Sequence, residues 1–496
     1  MSTRAVGRDA EIHSPGRACT AAAQRNRLAA EIRYLLARLR DQSAGASAQR
    51  AQIRAELGWW RTVQHRPLVE CVQRSFVVRQ WCLRLADSDG SWRNSISYIG
   101  DTDPCDETVC TYDYDRAEVR FPVTSALASP YRWTAELEAE VSTWYARSGM
   151  SAITAWLIAT GRIARDSGQP FTVLTNLLYH ETAILFELAE LRSIEIKTLD
   201  DETSITAAAR ATDKPVVIFI DSSRPSGHAG AVRRILRHVG DGHIGCVVWD
   251  NTCAPADEHP FGVGFDLADM SPALLLLRSH AKLDQLGLEI CALGSLALLN
   301  GPRPSPQARA MLNGLTNYLP DALAVSGGCA SPSALRLLDA LGLPAPELVR
   351  RGNRVLRAAN VFGAQLLRTA LEPSGRYLIE DNEHRCFVEI HVLDLPGPPD
   401  FGAPAVWVPW AGFDRLLTRV EQQASALDVP IWKSASFGFH YTGLSWYPAE
   451  VPPLPYGHSH TVLRVCFGMH DPDAVSRAVD VIAANLLARP DWTPHE

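Results

Sequence analysis

Two polar clusters stand where nearly all-apolar runs end. Residues 244–249 are followed by Asp250-Asn251-Thr252, and residues 273–277 by Arg278-Ser279-His280-Ala281-Lys282. Runs apolar on both faces belong to a sheet covered by helices, and ligands gather at the carboxyl ends of such strands. A lysine there can form an imine with an aldehyde. A neighbouring carboxylate can keep a pyridine nitrogen protonated, so that the ring withdraws electrons. Taken alone, the same residues fit a plainer reading, with Asp250 capping a turn and Lys282 meeting solvent. Spacing by itself leaves both open.

The elements that must position these residues are visible in the pattern around them. Over residues 111–342, helical periods alternate with the apolar runs 171–174, 216–220, 244–249 and 273–277. This predicts an α/β large domain whose mostly parallel sheet is flanked by helices. A helical run at 347–369, strand-like stretches at 387–392 and 462–467 and a closing helix at 472–487 predict a smaller α+β domain over 343–496. Leu28, Ile32, Leu35 and Leu39 fall on one helical face and predict a helix that docks on the main body. It belongs to an extension over residues 26–110, whose segment bearing Trp59, Trp60, Trp81 and Trp92 takes no assignment. Residues 1–25, rich in Ala, Arg and Gly and without a hydrophobic period, are expected to be flexible. The Pro-rich stretch 395–404 reads as a surface loop.

Composition narrows the function classes. With 48 Lys and Arg against 55 Asp and Glu, the net charge of -7 offers no surface for a polyanion, so nucleic acid is not expected as a partner. No apolar stretch is long enough to span a bilayer, and residues 1–20 lack the apolar core of a secretory signal. A cytoplasmic protein is expected, with no membrane partner. The 11 cysteines form no pair or cluster at metal-ligand spacing and read as reduced, mostly buried thiols.

Four motifs occur in order: Ser148-Gly149-Met150, Tyr179-x-x-Thr182-x-x-Leu185-Phe186, Val247-Val248-x-Asp250-Asn251-Thr252 and Ser279-x-x-Lys282. With the segment around Arg464, they resemble the Cys/Met-metabolism family of pyridoxal-phosphate (PLP) enzymes, over about residue 112 to the C-terminus. The resemblance implies PLP fold type I and PLP as cofactor. Lys282 would be the imine partner and the proton shuttle, and Asp250 the partner of the pyridine nitrogen, with Thr252 alongside. Tyr179 would stack on the ring and take part in proton transfer. Ser148, Gly149, Met150 and Ser279 would hold the phosphate, the first three as a helix start whose unpaired N–H groups favour an anion. Arg464 would grip the substrate carboxylate with its planar fork, near a loop bearing Ser436. Tyr114 and Arg116 resemble the element that reaches the phosphate of a neighbouring subunit, which implies a homodimer or homotetramer.

The sequence also departs from the family's pattern. His180 and Glu181 replace small residues after the stacking tyrosine and are candidates for substrate recognition or an acid/base pair. Ala281 replaces a hydroxyl residue, and no counterpart of the asparagine at the cofactor's 3-hydroxyl follows Asp221. The resemblance implies an enzyme removing or replacing a group at Cγ of an amino acid, a lyase or transferase. The departures suggest specialised natural-product biosynthesis, such as formation of an unsaturated amino acid. An ordinary cystathionine- or methionine-type lyase or synthase is the second expectation. A non-catalytic homologue that binds a partner through its N-terminal region is the third.

Overall fold

The computed structural model describes residues 21–42, 47–88 and, with internal gaps of which 255–269 is the largest, 141–330, 346–393, 408–449 and 460–488. The chain is an α/β protein with a large domain, a smaller C-terminal α+β domain and a helical N-terminal extension.

The large sheet runs in the order β1 (Val141–Ala146), β7 (Gly294–Leu299), β6 (Ala273–Ser279), β5 (Ile244–Asp250), β4 (Val216–Asp221), β2 (Phe171–Thr175), β3 (Ile194–Thr198). Only β7 runs against its neighbours. Side chains of a strand alternate between faces, so each central strand feeds two cores. Val217, Phe219, Cys246, Val248, Leu275 and Leu277 pack with helices α4 (Gly149–Ser167) and α8 (Pro306–Val325). Ile218, Ile220, Val247, Trp249, Leu274 and Leu276 pack on the other face, against α6 (Glu202–Ala211) and α7 (Ala229–His238). Burial on both faces explains why these runs are almost wholly apolar. Helix α5 (His180–Leu188) follows β2.

The smaller sheet has the order β10 (Ile431–Lys433), β11 (Thr442–Ala449), β12 (His460–Cys466), β9 (Val388–Val392), β8 (Tyr377–Glu380). It is covered by α9 (Pro346–Leu371), α10 (Val408–Ala426) and α11 (Pro472–Leu487). Glycines in α9 allow close approach: a Cβ on Gly363 would lie 2.2 Å from the Phe467 ring.

The extension is a three-helix unit, α1 (Ala21–Gln42), α2 (Ser47–Arg61) and α3 (Leu68–Ser88), around Leu28, Ile32, Leu36, Trp60 and Val72. Thus Trp59 and Trp60 lie on a helix, and Trp81 on the next. Helix α1 begins inside the segment expected to be flexible, and Gln24 is buried against His470. A polar tertiary partner fixes it there, which no hydrophobic period could announce. No helix among the described residues is long and apolar enough to cross a membrane.

Candidate active site

The two apolar strands that end in acid groups deliver them to one place. Asp221 and Asp250 are register partners at the carboxyl ends of β4 and β5, on the face that packs against α4 and α8. Both are buried. Asp221 accepts hydrogen bonds from the backbone N–H of Tyr179 (2.8 Å) and Ser223 (2.7 Å), so it ties the tyrosine to the strand end. Asp250 accepts from Thr252 N–H at 3.0 Å, the turn-capping bond of the plainer reading, yet it also lies in the cleft. Burial first, and then the charge of Asp221, push the Asp250 carboxyl up to about 7. Two buried carboxylates side by side call for a cation.

Ser279 ends β6 on that same face, and Lys282 follows one turn later. The Lys282 Nζ lies 5.7 Å from the centroid of the Tyr179 ring. From the small domain, Arg464 of β12 reaches the tyrosine from another side: its Nη1 donates to the Tyr179 hydroxyl at 3.3 Å, and its Nε donates to Ser445 Oγ at 3.0 Å. Arg464 is buried, not a surface residue of an edge strand. Tyr179 is therefore met by both cations.

The start of α4 faces Ser279. Ser148 caps that helix through Oγ, which accepts from Ser151 N–H at 3.1 Å. A Cβ on Gly149 would sit 2.9 Å from the Ser279 Cβ, and one on Gly294 would sit 2.2 Å from the Ser148 carbonyl oxygen. Backbone is thus packed closely around the first amides of a 19-residue helix, where unpaired N–H groups and the dipole favour an anion.

Around the turn that carries Lys282 lies a group of buried polar residues to which the sequence reading gave no role. Arg278 forms a fork with Asp284, Nε to Oδ2 at 2.8 Å and Nη2 to Oδ1 at 2.6 Å. Its Nη1 also donates to the carbonyls of Asn251 (2.6 Å) and Ala254 (3.1 Å). The His280 Nδ1–H donates to Asp284 Oδ2 at 2.7 Å, and its Nε2 is 2.7 Å from Ser295 Oγ. Burial pushes Asp284 up, but the Arg278 charge and the Arg278 and His280 hydrogen bonds outweigh it and hold the carboxyl well below the usual range. Ser295–His280–Asp284 has hydrolase-like spacing, but Ser295 is fully buried, so the group braces the lysine turn instead. That turn is tense: Leu286 has φ 51° and Gly287 φ 71°. A signal for the brace was present in Arg278, a charge at the end of four leucines.

Of the residues singled out in the sequence, Ser148, Gly149, Met150, Tyr179, Asp250, Thr252, Ser279, Lys282 and Arg464 lie on the elements that border this cleft. Glu181 is exposed on the first turn of α5. Tyr114, Arg116 and Ser436 lie outside the described residues, as does the side chain of His180. Cys71, Cys246, Cys253, Cys329, Cys386 and Cys466 are buried and form no disulfide. Glu380, Glu389 and His391 lie within metal-ligand distance of one another, but Arg385 donates to both carboxylates and already fills the role of a cation.

The donor set fits a pyridoxal phosphate. A helix start and a serine suit the phosphate, a buried acid suits a protonated ring nitrogen, and an amine lies beside an aromatic ring. The Asn251 Oδ1, Ser223 Oγ and Thr182 Oγ1 atoms, buried at or near these strand ends, have no hydrogen-bond partner. No family model matches the chain, and no curated protein matches it. Among solved structures it is similar to an apo methionine γ-lyase from Micromonospora echinospora, at 17% identity and TM-score 0.43, over 69% of this chain and 81% of that one. It is also similar to a cystathionine γ-synthase from Xanthomonas oryzae pv. oryzae in complex with cystathionine, at 17% identity and TM-score 0.47, over 80% and 92%. A third is the Sphingomonas wittichii serine palmitoyltransferase, at 12% identity and TM-score 0.45, over 83% of each chain.

Proposed function

We propose that this chain is a PLP-dependent enzyme that removes or replaces a group at Cγ of an amino acid. The observation that carries the reading is the convergence of Lys282, Tyr179 and Arg464 on the strand ends where Asp250 and Asp221 are buried together. Ser148, Gly149, Met150 and Ser279 would hold the phosphate, and Asp250 would hold the ring nitrogen. Bound there, the cofactor supplies an electron sink that acidifies the Cα–H of an attached amino acid.

The chain's own groups then divide the work. Asp250, ionised opposite a cation, keeps the proton on the ring nitrogen. Arg464 presents a planar fork for the substrate carboxylate, held in direction by Ser445 and Tyr179. Lys282, on a braced turn beside the Tyr179 ring, takes the proton from Cα and moves it, and a second proton withdrawn from Cβ lets a group leave Cγ. The buried apolar surroundings of the lysine turn, Leu283, Phe387 and Phe439, keep water from competing for those protons.

The N-terminal extension and the departures at positions 180 and 181 favour a specialised role, such as making an unsaturated amino acid, over ordinary sulfur amino-acid metabolism. A homodimer or homotetramer in the cytoplasm completes the proposal. The test is hydrogen/deuterium exchange on a panel of amino acids in heavy water, with protein and PLP and with Lys282→Ala as control. Exchange at both Cα and Cβ, lost in the variant, is expected. Exchange at Cα alone moves the reading to β-chemistry, and no exchange overturns it in favour of a binding protein.

A further inference from the structure

Helices α1 and α3 of the N-terminal unit grip the small domain, α1 at the two turns that adjoin β11 and β12. On α1, the Gln24 amide donates to His470 Nδ1, and Arg27 Nη2 donates to the Met469 carbonyl at 3.2 Å. One helical turn further, the Glu31 carboxylate is 3.1 Å from His440 Nε2. Burial, and then Arg27 and other nearby charges, lower His470 to about 3, so its imidazole is neutral and accepts from Gln24. On α3, the Phe76 ring meets Trp432 and Tyr441 edge-on, at centroid distances of 6.0 and 5.6 Å. The small domain answers by capping α3: Asp428 accepts from the N–H groups of Leu68 (3.3 Å) and Val69 (3.2 Å).

Those gripped turns touch the lysine turn directly. The Phe439 ring occupies the space where a side chain at Gly287 would be, with its Cδ2 2.4 Å from an added Cβ. Met469 N–H donates to the Phe439 carbonyl at 2.7 Å, joining the two turns. Leu283, Leu286, Phe439, Cys466 and Met469 form one buried cluster. Arg464 lies two residues before Cys466, and its partner Ser445 three residues after Thr442, which starts β11.

We propose that α1–α3 are a wall of the active site and not an appended domain, with Gln24, Glu31 and Phe76 acting as positioning residues. By pressing the Phe439–Tyr441 and Met469–Asp471 turns onto Leu286 and Gly287, they set Arg464 relative to Lys282. This rests on the assignment of Lys282 and Arg464 above, but the packing chain itself does not. Both carboxylate and amide contacts on α1 face buried histidines, so they hold the helix in one register where apolar packing alone would let it slide.

The test is backbone hydrogen exchange by mass spectrometry on the full-length protein without added cofactor, comparing wild type with Glu31→Gln and, as a milder change, Gln24→Ala. Loosening the grip should raise exchange about tenfold or more in peptides covering residues 283–293 and 439–446, while 216–221 and 244–250 keep their protection. Faster exchange confined to α1–α3 overturns the proposal, and so does a uniform rise across the chain, which marks general destabilisation. A paired readout separates the two readings. Borohydride fixation of PLP at Lys282 should need about tenfold more PLP in the variants. Exchange that changes as expected in a wild type that fixes no PLP sinks the cofactor reading and leaves the wall. Fixation at Lys282 with unchanged exchange in 283–293 sinks the wall and leaves the cofactor reading.

Discussion

Asp250→Asn tests the electrostatics of the site more sharply than loss of activity does. In the cofactor-free protein, burial and the neighbouring Asp221 raise the Asp250 carboxyl from an ordinary 3.8 to about 7. A group raised in the folded state contributes stability that is fully present below its unfolded value and is lost as pH rises through its folded value. Ionising Asp250 therefore destabilises the cofactor-free fold progressively from about pH 4 to about pH 7. At about 1.4 kcal/mol per unit, the span from pH 5 to 7 amounts to about 3 kcal/mol. Asparagine carries no charge, so the unfolding free energy of the variant relative to wild type should shift by about 3 kcal/mol in its favour between pH 5 and pH 8. Urea midpoints at the two pH values, with slopes checked for equality, give that number. Adding PLP should reverse it at pH 8, since a ring cation compensates the carboxylate in wild type only. Parallel pH profiles for the two proteins would refute the reasoning.

Three further outcomes follow from the geometry. Arg464→Lys removes the planar fork between Ser445 and Tyr179, and should raise KM for the amino acid by about tenfold to a hundredfold with a smaller change in kcat. Steady-state kinetics on the substrate found by exchange will show it. Asp284→Asn leaves the Arg278 guanidinium buried without its anion, and should cost about 3–5 kcal/mol by denaturant unfolding. A loss below about 1 kcal/mol would show that the group does not brace the turn. Gly287→Ala meets both a φ of 71° and the Phe439 ring, and should destabilise the fold by at least about 1–2 kcal/mol and loosen PLP binding, read by thermal unfolding and by absorbance titration.

Strands β4, β5 and β6 were legible because burial on both faces leaves no room for polar residues. Each ran one or two residues further than its apolar core, into Asp221, Asp250 and Ser279, because backbone pairing continues after the side chains turn polar. The edge strand β3 escaped because its alternation, Ile194-Glu195-Ile196-Lys197-Thr198, covers only five residues and is half exposed. Strand β1 escaped because its partners, β7 and the bridge to Cys329, lie more than a hundred residues away. Helix α3 was hidden because its partners Asp428, Trp432 and Tyr441 lie more than three hundred residues downstream.

The residues that the structure brings together were legible where each stands in a local motif, as for Lys282, Tyr179, Asp250 and Arg464. It was not legible where a residue acts through another. Asp221 matters because it is the register partner of Asp250 and the acceptor for Tyr179 N–H, relations set by strand order and not by spacing. The same holds for Ser445, which Arg464 meets across a strand pair. These unseen partners give the cleft its polarity. Two buried carboxylates meet at the strand ends, and Lys282 and Arg464 both approach the tyrosine that is tied to one of them. The proposed function asks the ligand to bring a cation to Asp250 and an anion to Arg464. Under the proposed function, a protonated pyridine ring joined to an amino-acid carboxylate has that distribution of charge.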